Sequence, residues 1–149
     1  MVPLPEPRSQ TPAREYVRLA QLYRMDGRED LALAILETAS RLIPVDATVF
    51  YEIAQAHAAA GRITRALALY DASIAIDPEF RDAHWQRGVL LERRGQIDEA
   101  LEAWRRSDVT RDPYRHSLYL AAALKSPRST NESLLADHRE WARHHTSAP

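Results

Sequence analysis

The sequence predicts an all-α fold: a right-handed solenoid of three helix hairpins followed by C-terminal capping helices. Three observations lead there. Residues recur at a fixed period of 34: Gly27, Gly61 and Gly95; Ala32, Ala66 and Ala100; Leu36, Tyr70 and Trp104; Ala39, Ser73 and Ser107. From Leu31 to Ile43 the apolar residues Ala32, Ile35, Leu36, Ala39 and Leu42 recur at helical spacing, which makes one apolar stripe. Each periodic glycine stands between two such patterns, where a left-handed residue without a side-chain penalty closes a helix. One hairpin cannot bury its apolar face, so successive copies must stack, with the first helices lining a concave surface.

Taken in order, residues 1–11 are expected to be a flexible proline-rich arm. Repeats then follow at 13–46, 47–80 and 81–113, with helices near 13–26, 29–43, 46–60, 63–76, 80–94 and 97–109. Asp30 and Asp98 fall in the first turn of their helices, where exposed amides and the helix dipole favour a carboxylate. Alanines 32, 66 and 100 let two antiparallel helices approach, and the large residue one turn later fills the adjacent groove. Pro44 and Pro78 end their hairpins at the repeat spacing, whereas Pro113 falls one residue late, implying an extra residue at the end of the third copy. Residues 114–145 are expected to form capping helices, with 146–149 as a tail. Tyr114 to Lys125 reads as one helix stopped by Pro127. Ser129 and Glu132 stand at capping-box spacing before a stripe of Leu134, Leu135, His138, Trp141 and Ala142 that should close the solenoid.

Composition narrows the function. Among 149 residues, 45% are apolar and 28% charged, and the formal net charge of −1 supplies no overall field for nucleic acid or anionic membrane. The chain has no cysteine, which excludes disulfides, thiolate zinc sites and cysteine nucleophiles. Only four glycines are present, three at hairpin turns, so no glycine-rich phosphate loop can be built. The six histidines contain no HExxH pair, and His138, His144 and His145 read as solvated tail residues, so no metal, cofactor or catalytic residue is assigned. The pairs Arg93-Arg94 and Arg105-Arg106 interleave with Glu92, Glu99 and Glu102 as solvated faces. No apolar run is long enough to span a bilayer and Met1 to Gln10 lacks a signal core, which makes a cytoplasmic, non-enzymatic protein the expectation.

The periodic residues resemble the tetratricopeptide repeat (TPR) motif. Tyr16, Leu19, Ala20, Tyr23, Gly27, Ala32 and Pro44 fit one copy, and Phe50, Ile53, Ala54, Gly61, Ala66, Tyr70 and Pro78 fit the next. Leu36 replaces the second aromatic, and His84 stands at the first aromatic position of the third copy with Trp85 beside it. A further resemblance runs from Ser117-Leu118-Tyr119-Leu120 through Leu134 to Ala142, which looks like the bridge after the TPR array in bacterial proteins similar to O-linked N-acetylglucosamine transferases. It implies ancestry or truncation and carries over no sugar-nucleotide site. TPR proteins that hold acidic chaperone tails use a cationic clamp; at the matching places this chain has Val17, Gln21, Glu52, Asp82 and Gln86, so no such binding is expected.

What the resemblance implies is a protein–protein interaction module that takes a peptide or partner helix in the concave groove. Motif positions there are Arg14, Val17, Gln21 and Arg24 in the first copy, Thr48, Tyr51, Gln55 and Ala58 in the second, and Asp82, Trp85, Val89 and Glu92 in the third. Val17, Tyr51 and Trp85 form a row of contact candidates, and the glutamines could bond a peptide backbone. Charge would run from basic to acidic along the groove. The alternative for Trp85 is an inward turn into the packing place that His84 fills poorly. Two other functions compete: a recognition fragment of a glycosyltransferase, and a self-associating assembly subunit forming a homo-oligomer.

Overall fold

The computed structural model describes residues 13–42 and 46–146. The proline-rich arm, Pro44 and the last three residues of the tail lie outside the described residues. Within them run eight α-helices and one 3-10 turn: α1 (Ala13–Met25), α2 (Glu29–Leu42), α3 (Ala47–Ala59), α4 (Ile63–Ile76), α5 (Arg81–Arg93), α6 (Ile97–Arg106), the turn Val109–Arg111, α7 (Pro113–Ala123) and α8 (Asn131–His145). Among the described residues there is no strand, so the fold is all-α, as the periodicity predicts. The chain divides into two compact units, the first ending at Phe80 and the second starting at Arg81.

Each hairpin turn is made by the same local device. Gly27, Gly61 and Gly95 have φ of 72°, 75° and 77°, a region in which a side chain would be strained. The glycine amide bonds the carbonyl three residues back (Arg24, Ala58 and Glu92), and the next amide reaches five residues back, Arg28 to Tyr23 at 2.8 Å, Arg62 to His57 and Gln96 to Leu91 both at 2.9 Å. This paired bonding satisfies carbonyls that a helix end otherwise leaves open, and it reverses the chain into the following helix.

In the first unit α1 packs on α2 and α3 on α4, and α3 also packs on α1 and α2. Ala32 and Ala66 have no exposed surface, and Leu36 and Tyr70 fill the adjacent space at 0% and 1% exposure. The core joins Tyr16, Val17 and Ala20 of α1 to Ile35, Leu36 and Ala39 of α2 and Val49 and Ile53 of α3. Ser73, in the column occupied by Ala39, is fully buried and donates its hydroxyl to the carbonyl of Ala47 at 2.7 Å, tying the end of α4 to the start of α3. Asp46 caps α3 by accepting from the amides of Thr48 and Val49 at 2.8 and 3.2 Å.

In the second unit α5 pairs with α6, and α7 lies against α6 and α8. Its core gathers Trp85, Leu101, Trp104, Val109, Tyr119 and Leu120. The extra residue of the third copy has a visible cause. Helix α6 stops at Arg106, Asp108 takes a left-handed conformation (φ 59°), and the 3-10 turn follows before Asp112 caps α7 at Pro113. The Asp108 carboxylate accepts from the Thr110 hydroxyl at 2.9 Å and pairs with Arg111 and Arg81. The Thr110 bond first, then Arg111 and Arg81, hold its pKa below the ordinary value against the opposing effect of burial.

The last helix corrects two sequence expectations. Its capping box is made by Thr130 and Ser133, whose side chains exchange bonds with each other's amides at 3.1 and 2.9 Å, and not by Ser129 and Glu132. The expected apolar stripe is also only partly used. No residue of α8 is fully buried; Leu134 and Trp141 pack on the core while Leu135 and His138 stay exposed.

Candidate peptide-binding face

Two groups of the expected groove residues can be described, each inside its own unit. In the first unit, α1 presents Gln21 and Arg24 one turn apart, and both converge on Glu52 of α3. The Gln21 amide donates to one Glu52 oxygen at 3.1 Å, and the Arg24 guanidinium to the other, also at 3.1 Å. Arg24 lies 3.8 Å from Glu29 as well. Glu52 is buried, so the two donors replace the water its carboxylate gave up. Flanking it on α3 are Tyr51 and Gln55, both half-exposed, with Thr48 one turn earlier and exposed. The Tyr51 ring packs 5.8 Å from that of Tyr70 and 5.0 Å from that of Phe80. Burial above all, then the neighbouring Tyr51 and Glu52, pushes the Tyr70 hydroxyl pKa well up, so it remains protonated.

Val17 is not part of this surface. It is 7% exposed and belongs to the core of the first unit, which corrects its expected place on the groove wall. Arg14 is exposed and Ala58 half-buried.

In the second unit Trp85 is likewise a core residue, 7% exposed. Its ring stacks on Trp104 with centroids 5.2 Å apart, and the Trp104 indole N–H donates to the Trp85 carbonyl at 3.1 Å. The Arg115 guanidinium closes over the Trp85 ring at 4.9 Å and also pairs with Asp82 at 3.2 Å. Trp85 therefore turns inward without displacing its neighbour, for His84 is buried too. Gly88 makes room: a Cβ there would stand 2.4 Å from the Trp104 ring. Val89 is half-buried against the same core, and Glu92 pairs with Lys125 at 3.2 Å. The predicted run from basic to acidic is thus locally balanced, since Arg24, Asp82 and Glu92 each have an opposite charge within 3.2 Å.

Periodicity does not single out Glu52 as the centre of this arrangement: in the sequence it stands as a charge that would repel acidic tails, next to Tyr51 in the second copy. His57 is buried, as its core position implied. Its Nε2 accepts from Arg65 at 3.1 Å, which leaves the proton on Nδ1, an atom without a partner among the described residues. Among the described residues, no three metal-ligating side chains stand together and no helix is long and apolar enough to cross a membrane.

The model of the tetratricopeptide repeat matches residues 17–79 and again 51–116. The chain belongs to the tetratricopeptide repeat family. Solved TPR structures share the fold. MamA from Desulfovibrio magneticus RS-1 is 20% identical, with 93% of this chain covering 78% of that one at a TM-score of 0.73. YrrB, described as a TPR protein with an unusual peptide-binding site, is 18% identical, with 90% covering 69% at 0.74. A mutant O-GlcNAc transferase from Thermobaculum terrenum is 17% identical, with 94% of this chain covering 27% of that one at 0.72. At these identities the likeness is one of fold, and it does not confirm the resemblance of α7 and α8 to the transferase bridge. No curated protein sequence matches the chain.

Proposed function

We propose that this TPR protein binds an extended segment of another polypeptide, using the face of α1 and α3 that surrounds Glu52. The observation that carries the reading is the convergence of Gln21 and Arg24 on that buried carboxylate, beside the half-exposed Tyr51 and Gln55. A guanidinium has five N–H donors and Arg24 commits one to Glu52 at close range, so others can meet a peptide carbonyl. Glu52 holds Arg24 and Gln21 in place, which reduces the side-chain entropy lost on binding. Tyr51 supplies rigid contact area, and Gln55 both donates and accepts toward a peptide backbone. A TPR relative described as having a peptide-binding site supports the class of ligand.

This reading replaces the row Val17, Tyr51 and Trp85 with Tyr51 alone as the aromatic anchor. Because Arg24, Asp82 and Glu92 are paired, ligand direction rests on hydrogen bonding more than on a charge gradient. The test is a pull-down with cross-linking to obtain the partner, followed by affinity measurements on Tyr51→Ala and on Gln21→Ala with Gln55→Ala, folding being checked by circular dichroism. A loss of tenfold or more in either variant supports the face; full affinity in both moves the site elsewhere. The bridge-like residues from Ser117 to Ala142 support a second reading, a recognition fragment of a glycosyltransferase. A co-purifying transferase would favour it.

A further inference from the structure

We propose that α8 is a proton-released cap, held on α7 by a histidine pair that works only while it shares a single proton. The pair is His116 of α7 and His145 of α8, whose Nδ1 and Nε2 face each other at 3.1 Å with their rings edge to face at 5.2 Å. At that distance one nitrogen donates and the other must offer a lone pair. When both rings are cationic, two N–H groups oppose each other and two positive charges are brought together.

His116 cannot relax toward water, for it is 1% exposed beneath the last turn of α8. Burial first, then His145 and His144, hold its pKa below the ordinary 6.5, while Glu140 and Asp137 pull the other way. The charged and titratable groups that face it are Asp137, Glu140, His144 and His145 of α8 and Tyr119 of α7, 6.2 Å away, whose hydroxyl is bonded to Arg105 of α6 at 2.9 Å and to Asp137. A depressed histidine pKa means that the docked form binds fewer protons than the released form below pH 6.5. Docking is therefore at full strength above 6.5 and weakens as pH falls.

The rest of α8 offers little to oppose release. None of its residues is buried, and besides the histidine contact it rests on half-buried Leu134 and Trp141, on a 3.2 Å bond from the Trp141 indole to the Ser117 hydroxyl and on a bond from the Tyr119 hydroxyl to Asp137. His145 also packs against Trp141, with ring centroids 5.4 Å apart, so losing the histidine contact loosens the main aromatic anchor too.

The test is amide hydrogen exchange of the full chain at pH 7.5 and 5.5, corrected for intrinsic rates. One histidine whose pKa is lowered when docked and ordinary when released weakens docking by at most about tenfold over this interval. Protection of α8 should fall severalfold, up to that limit, and by more than that of α6. In His116→Phe the fall should shrink below threefold. If that variant does not fold, His145→Phe takes its place, and the fall should again shrink. Unchanged α8 protection between the two pH values overturns the proposal, and so does an undiminished fall in the folded variant.

Discussion

The indole of Trp104 lies directly over the backbone of Gly88, so close that a methyl group on that glycine would stand 2.4 Å from the ring. Gly88 is in the middle of α5, where alanine ordinarily stabilises a helix by about 0.5–1 kcal/mol. Here the sign should reverse. Gly88→Ala has to push Trp104 off its stack with Trp85 and off the Trp85 carbonyl, and overpacking of this kind costs about 1–3 kcal/mol. Denaturant unfolding with a fluorescence readout measures it. A gain in stability would mean that the indole moves aside freely.

Glu52→Ala leaves Gln21 and Arg24 without their shared acceptor. Arg24 is partly exposed and still lies near Glu29, so water and Glu29 soften the loss, and the expected cost is about 1–2 kcal/mol. Glu52→Gln keeps an acceptor for one donor and should cost less. Equal losses in the two variants would show that the acceptor kept by glutamine contributes nothing.

Trp141→Ala is expected to cost about 1–2 kcal/mol, below the 3–5 of a fully buried aromatic, because the ring is only half-buried. The melting temperature measures this. Ser117→Ala removes the exposed 3.2 Å bond from the indole and the exposed 2.8 Å bond from the hydroxyl to the Pro113 carbonyl, and should change stability by less than about 0.5 kcal/mol. An unchanged melting temperature for Trp141→Ala would show that α8 is undocked in solution.

Burial, followed by Arg62 and Arg65, lowers the His57 pKa from the ordinary 6.5 against an opposing effect of Glu37. The unfolded chain then binds more protons below pH 6.5, so His57 opposes folding increasingly as pH falls through 6.5 toward its folded value. Ring chemical shifts followed by NMR should give a midpoint below 6.5. The unfolding free energy should drop between pH 7.5 and 5.5, and His57→Gln should remove part of that drop, the remainder coming from His116. A midpoint at or above 6.5 would contradict the burial argument.

The sequence alone determined the all-α class, the hairpin turns and the small-residue columns. Gly27, Gly61 and Gly95 could be read because a left-handed turn is a local requirement, and its chemistry is written in the residue that makes it. Alanines 32, 66 and 100 could be read because the same close approach recurs in every copy, and repetition exposes it. The late Pro113 even signalled the irregular end of the third copy, which proved to be the left-handed Asp108 and the 3-10 turn after it.

Tertiary structure alone decided which side chains of the first helices reach the surface. Val17 and Trp85 occupy the same motif position as Tyr51, yet both are buried while Tyr51 is half-exposed. Motif position sets the direction in which a side chain leaves its helix, but burial depends on what stands opposite. For Trp85 that is Trp104 on α6, Arg115 on α7 and the space left by Gly88. Glu52 meets Gln21 and Arg24 across about 30 residues of chain, and His116 meets His145 across 29. Such pairs leave no periodic trace, because each occurs once and its partners are brought together only by helix packing.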